Sequence, residues 1–384
     1  MALTGDWPIL AWARTAVAPR GGALARCLPH ELAVPLVRQL LAISEVPVRA
    51  VDALVLGNAL GANGNPARML ALAAGLAQRA RALSVDTQCC SGMDAVTLAR
   101  ALLAAGQADV VIAGGAESWS RAPIRQHRPL DPAQMPTTYE RPVFAPDPAQ
   151  DPDPLDAAAA GAAELGITRE AQDAYAALSH ARARAADLSA EIVAVAGCAR
   201  DGYPRALTPA RMARMPVLRE ARDADGNDCS LSRASVSPQA DGAALLLLAS
   251  PAACRRWGLR PRAAWLDAYF QGGQPRQPML CAQQAARVLL ERRGMRTREL
   301  GAIELHDAFA VQGLAFAGAL GLAPEALNPQ GGGLARGHPI GASGAIALVR
   351  ALEDWQRQPQ QPVLAAIAAA GGLGSATLVG SWHG

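Results

Sequence analysis

Two stretches of this 384-residue chain carry the same succession of apolar and polar positions. In SGMDAVTLARALLAAGQADVVIAGGAES, apolar residues recur at helical spacing from Ser91 to about Ala105. A polar turn follows, then a buried-strand pattern ending at Gly114-Gly115. SGAIALVRALEDWQ and PVLAAIAAAGGLGSATLVG repeat the order helix, turn, buried strand, double glycine. A Cys-rich loop at Cys89 precedes the first helix, and a His/Gly-rich loop at His338 precedes the second. Strands apolar on both faces need helices on both sides, so the pattern predicts two duplicated α/β halves.

DGAALLLLAS (Asp241 to Ser250) reads as a buried strand closing the first half. TREAQDAYAALSHARARAADL, acidic early and Arg-rich later, reads as a helix after Thr168. Between these halves lies a proline-dense excursion, from Pro123 through Pro129, Pro132, Pro136, Pro142, Pro146, Pro148 and Pro152 to Pro154. Proline at that density forbids a continuous helix or central strand and predicts a lid or contact arm. The expected division is 1–118 plus 160–255, an inserted loop region 119–159, and 256–384.

Hydrophobic residues make up 51% and charged residues 18%, a globular rather than disordered balance. All 36 basic residues are Arg, and a net charge of +3 gives no reason to expect nucleic acid as a partner. The seven cysteines are odd in number and scattered, with no Cys/His cluster, so neither disulfides nor a metal site is expected. MALTGDWPILAWARTAV lacks the basic start of a signal peptide, and no apolar stretch reaches membrane-spanning length. A cytoplasmic location is expected.

Three places carry candidate chemistry. In SVDTQCCSGMDAV a short strand leads into a turn and a helix, placing the Cys89 thiol near a helix N-terminus that favours thiolate. In GGGLARGHPIGASGA the dense glycines let backbone approach a ligand and leave the His338 imidazole at a loop tip, where it can take a thiol proton. In IELHDAFA a strand ends at His306-Asp307, making His306 a candidate oxyanion donor. On these motifs alone, a buried structural cysteine and satisfied structural histidines remain open.

Together the motifs resemble the thiolase superfamily. Cys89-Cys90-Ser91-Gly92 is similar to its nucleophile motif, AGGAESWSRAP to the strand and turn after it, and ASVSPQADGAA to its coenzyme A-contacting turn. Asn328 through Ala345 resembles its Gly-His-Pro block, and Arg14-Thr15 and GNALGANGNPAR fit as well. The resemblance implies an α/β fold of two similar halves, each a five-stranded sheet, in a five-layer α-β-α-β-α sandwich. It implies a homodimer or homotetramer, no cofactor, and a coenzyme A thioester as substrate. Cys89 would carry the acyl group, His338 would activate it, and His306 would bind the thioester oxygen, as in sterol-carrier-protein-linked thiolases. Ser235, Ser237, Ala370 and Phe309 would contact substrate.

The chain departs from that pattern at one step. Thiolases use a second cysteine for proton transfer at the α-carbon, but Ala368 stands at its C-terminal position and Ala308 at the sterol-carrier-type position. No cysteine follows Cys281. An acyl-enzyme on Cys89 is therefore expected, with its second half open. Cys281 substitutes for the missing thiol, or the acyl group passes to an oxygen, nitrogen or sulfur nucleophile, or the chain binds acyl-CoA without turnover. A decarboxylative, ketosynthase-like condensation using His306 and His338 is a further alternative.

Overall fold

A computed structural model describes residues 6–61 and 63–384. Part of the N-terminal segment, Met1–Gly5, and Ala62 of the GNALGANGNPAR stretch lie outside the described residues. The main strands are β1 (Trp7–Thr15), β2 (Ala53–Gly57), β3 (Arg81–Val85), β4 (Val110–Ser118), β5 (Ala240–Ala249), β6 (Ala263–Gly272), β7 (Ala302–His306), β8 (Val363–Ala369) and β9 (Leu373–Gly380). The helices that matter here are α1 (Pro29–Ser44), α2 (Pro66–Ala73), α3 (Ser91–Ala104), α4 (Pro154–Glu164), α5 (Arg169–Ala185), α6 (Cys281–Arg293), α7 (Ala310–Ala319) and α8 (Ile340–Arg357).

The duplication is legible in the strand order. The first half runs β3-β2-β4-β5-β1 and the second β7-β8-β9-β6. Counted within each half, both orders are 3-2-4-5-1, with the third strand of the second half reduced to a parallel bridge between Leu327 and Ile303. The expected fifth strand fails there because Asn328 turns to φ 51° and Pro329 and three glycines follow, residues that do not sustain a strand. β1 and β6 pair antiparallel through Trp7–Trp265 and Ile9–Ala263, so the halves share one continuous sheet.

Side-chain alternation splits each buried strand between two cores. On β5, Leu246 and Leu248 join a middle core with Val96, Leu103, Ile346 and Leu352 of α3 and α8. Leu245 and Leu247 point the other way, onto Leu32, Leu36 and Leu40 of α1 and Leu70 of α2. The outer face of the second half packs Ala282, Ala285 and Leu289 of α6 and Phe316 of α7 against Leu364 and Leu378. The layers are thus helix, sheet, helix, sheet, helix, with α3 and α8 in contact at the centre.

Two expectations change in detail. Gly114-Gly115 does not end a strand, because β4 continues to Ser118, and a Cβ at Gly115 would overlap the Gly341 carbonyl. Gly371-Gly372 instead forms the β8–β9 turn, at φ 80° and 77°. The proline-dense stretch holds a short hairpin (Arg125–His127 with Thr137–Tyr139), but α4 begins inside it. Pro154 sits at the helix start, where its missing N–H costs nothing, and the Asp153 carboxylate caps Leu155 N–H at 2.9 Å. Thr168 caps α5 similarly. No helix among the described residues is long and apolar enough to cross a membrane.

Candidate active site

The two expected loops meet. Cys89 lies in a tight turn, Gln88–Cys90, between β3 and α3. Gln88 is held at φ 53°, a conformation that costs a non-glycine residue on the order of 1 kcal/mol. Its surroundings fix it there. Asp86 accepts from the Gln88 N–H (2.9 Å), and the Ser91 hydroxyl donates to the Gln88 carbonyl (2.5 Å) while accepting from Thr87 N–H (2.9 Å). Beneath the turn, Asp94 accepts from Thr87 Oγ1 and from Ser375 Oγ of β9, each at 2.6 Å. The Cys89 turn is thereby clamped to the second half.

His338 enters from the loop before α8. Its backbone is pinned on both sides, its N–H donating to the Pro238 carbonyl (2.7 Å) and its carbonyl accepting from the Trp119 indole (3.1 Å). Nε2 lies 3.1 Å from Cys89 Sγ, and Nδ1 lies 2.7 Å from Ser343 Oγ. Ser343 donates its single hydroxyl proton to the Pro339 carbonyl (3.1 Å), so it accepts from His338 Nδ1–H. That assignment leaves the Nε2 lone pair facing the thiol, the tautomer a general base needs.

Burial pushes the Cys89 thiol up to about 12, opposed by N–H groups of Ala370 and of Cys89 itself that reach the sulfur. Burial also pushes His338 down to about 4. Both effects favour a neutral thiol–imidazole pair at rest, with the proton moving only as the thiol attacks.

The glycines of the His338 loop are packed against protein, Gly333 against the His306 ring and Gly337 against Ala240, and the imidazole is half-buried rather than exposed at a tip. A Cβ at Gly344 would lie 2.8 Å from Met93 N, and one at Gly92 would lie 2.8 Å from the Gly341 carbonyl. Only glycine lets α3 and α8 approach closely enough to bring Cys89 and His338 together.

His306 packs beneath His338, ring centroids 4.4 Å apart and planes tilted by 34°. It is buried, with Nε2 lacking a hydrogen-bond partner, and burial with the neighbouring imidazole holds it well below the usual histidine range. Next to it Asp307 accepts from the Tyr175 hydroxyl (2.9 Å), Asn328 Nδ2 (3.1 Å) and Leu334 N–H (3.2 Å). Burial pushes the Asp307 carboxyl up to about 6 against these bonds.

A cavity of about 390 Å³ opens beside the pair. Cys89, His338, Ser237, Phe309 and Ala370 line it, together with Ala308 and Ala368. Three sequence candidates lie off its walls. Ser235 is buried, its hydroxyl closed into a turn with Ser232 (3.0 and 3.1 Å), so it offers a substrate nothing. His306 reaches the site only through His338. Cys281 is buried at the start of α6 behind Gly374 and Gly273, and burial pushes its thiol up to about 11. Sequence reasoning missed Ser343 and Trp119, whose roles depend on contacts across the fold rather than on a motif.

Family models for the thiolase N-terminal domain and the thiolase C-terminal domain match residues 8–252 and 259–381. An acetyl-CoA acetyltransferase of Chromobacterium violaceum is 34% identical over 97% of this chain and 98% of its own length. The crystal structure of the Bacillus anthracis acetyl-CoA acetyltransferase superposes with a TM-score of 0.88 at 30% identity, over 98% of each chain. That of an Ascaris suum thiolase in complex with coenzyme A gives 0.89 at 27%, over 98% of this chain and 100% of its own. Matched across both halves, with a cysteine and a histidine brought together where those halves meet, the chain belongs to the thiolase family and is an acyltransferase of that type.

Proposed function

We propose that this acyltransferase takes an acyl group from a coenzyme A thioester onto Cys89 and passes it to an oxygen, nitrogen or sulfur nucleophile, without forming a carbanion. In the first step His338 Nε2 takes the thiol proton and Sγ attacks the thioester carbonyl carbon. The carbon–sulfur bond to coenzyme A breaks, and the departing thiolate recovers the proton from His338. In the second step His338 deprotonates the acceptor, which attacks the acyl carbon. Cys89 leaves as thiolate and is reprotonated. The N–H groups of Ala370 and Cys89 are the donors for the oxyanions, and His306 acts on the site through the His338 ring it packs against.

One observation carries this reading: a thiol 3.1 Å from an imidazole, in a cavity whose described walls hold no second thiol or imidazole. Apart from that pair, the titratable side chains on the described walls are engaged elsewhere. Arg141 binds Asp151 through two hydrogen bonds of 2.6 and 3.0 Å, and Asp153 caps α4. Glu140 is 76% exposed and reaches toward Arg20, while Arg125 donates to the Glu140 carbonyl. Ala308 and Ala368 contribute only methyl groups.

Intact-mass measurement after incubation with acetyl-CoA tests the first step. An acetyl adduct that disappears in Cys89→Ala is expected; no adduct with any chain length would favour a binding protein without turnover. The His306–His338 packing also supports a decarboxylative condensation, which carbon dioxide release from malonyl-CoA would reveal. A homodimer or homotetramer belongs to the same reading, supported by the exposed edge strand β3 with Leu83, Met69, Leu72 and Leu98 around it. The cytoplasmic location rests on the sequence.

A further inference from the structure

Glu117, near the end of β4, is fully buried. Its carboxylate meets four donors from two other parts of the chain: the N–H groups of Ala59 (2.8 Å) and Leu60 (3.3 Å), Asn58 Nδ2 (2.6 Å), and the N–H of Gly341 (3.0 Å). Ala59 and Leu60 form part of the cavity wall. Gly341 belongs to the first turn of α8, three residues after His338. This 18-residue helix starts after Pro339 and has no side-chain cap of its own. A carboxylate at a helix start satisfies an otherwise unpaired N–H and complements the helix dipole. Here it comes from the other half of the molecule.

We propose that Glu117 is a positioning residue for acyl transfer, capping α8 across the two halves and thereby holding His338 over Cys89. Gly341 is the contact that makes this specific. A Cβ there would lie 2.7 Å from Asn58 Cα and 2.8 Å from Glu117 Oε2, so the helix start is seated directly on the carboxylate and on Asn58, the residue before the cavity-wall pair Ala59 and Leu60. Glu117 touches no substrate. It acts through the placement of Ile340, Gly341 and the His338 loop; above about 7, to which burial pushes its own carboxyl, its negative charge also raises the Cys89 thiol. Among the described residues, Asp86 and Cys90 from its own loop and His338 also act on Cys89.

The inference rests on Cys89 as the acylated residue, so its test has an arm that needs no acyl donor. Wild type, Glu117→Gln and Glu117→Asp are compared by single-turnover acylation with acetyl-CoA and by iodoacetamide alkylation of Cys89 across pH, with thermal melting to confirm folding. Glu117→Gln, which presents an amide donor to N–H groups, should slow acylation about 10- to 100-fold with its KM moved less than about threefold. Its alkylation midpoint should fall, because a negative charge near the thiol is gone. Glu117→Asp keeps the charge but is too short to span both partners, so acylation should slow while the alkylation midpoint stays. A general loosening would not separate the two readouts in this way. A folded Glu117→Gln with wild-type acylation and an unchanged alkylation profile overturns the proposal, as does full acylation by Glu117→Asp. If wild type is not acylated at all, the acyl-enzyme reading fails separately. The alkylation arm then decides: a midpoint lowered in Glu117→Gln supports the coupling and coincident profiles overturn it.

Discussion

Ser343 shows how one hydroxyl proton decides the state of the site. With that hydroxyl donating to Pro339, His338 carries its proton on Nδ1 and offers Nε2 to the thiol. Ser343→Ala should slow Cys89 acylation about tenfold, with KM little changed, in single-turnover kinetics. His306 offers a pH test. Its folded form stays neutral well below its ordinary range, while the unfolded chain takes up a proton near 6.5. The unfolded state therefore binds more protons as pH falls below 6.5, and stability drops with it. Urea denaturation at pH 7 and pH 5 should show wild type losing about 2 kcal/mol more than His306→Asn over that interval. Cys89, His338 and His306 were legible from their motifs, since each sits at a strand end or a glycine-flanked loop. Ser235 was not separable from Ser237 in sequence, because only the Ser232 turn turns one hydroxyl inward.

Elements were legible where burial imposes a period. The four consecutive leucines of β5 announced a strand covered on both faces; α3 starts at the expected Ser91, and α8 starts three residues before the expected Ser343. What the pattern did not reveal was the use of glycine. The double glycines look alike in sequence, yet Gly115 admits the start of α8 while Gly371-Gly372 turns a hairpin. Gly115→Ala would drive its Cβ into the Gly341 backbone. We expect it to cost about 3 kcal/mol or more by denaturant titration and to slow acylation in the protein that remains folded. The third strand of the second half was equally hidden, because its shrinkage to a bridge is a property of the Asn328 turn.

For the whole molecule, duplication places two dissimilar loops at equivalent positions and packs their helices together, so one half supplies the cysteine and the other the histidine of the pair. The exposed β3 edge belongs to the same half as Cys89. Leu83→Arg should shift the mass in sedimentation equilibrium towards monomer. Chemistry beyond the proposed acyl-enzyme depends on Ala308 and Ala368, which bring only methyl groups to the described cavity wall. The most direct test is the intact mass of the protein after incubation with acetoacetyl-CoA. Thioester exchange alone leaves an acetoacetyl group on Cys89, and that adduct is the predicted result. An acetyl group in its place would mean that the carbon–carbon bond was cleaved, and would contradict acyl transfer without a carbanion.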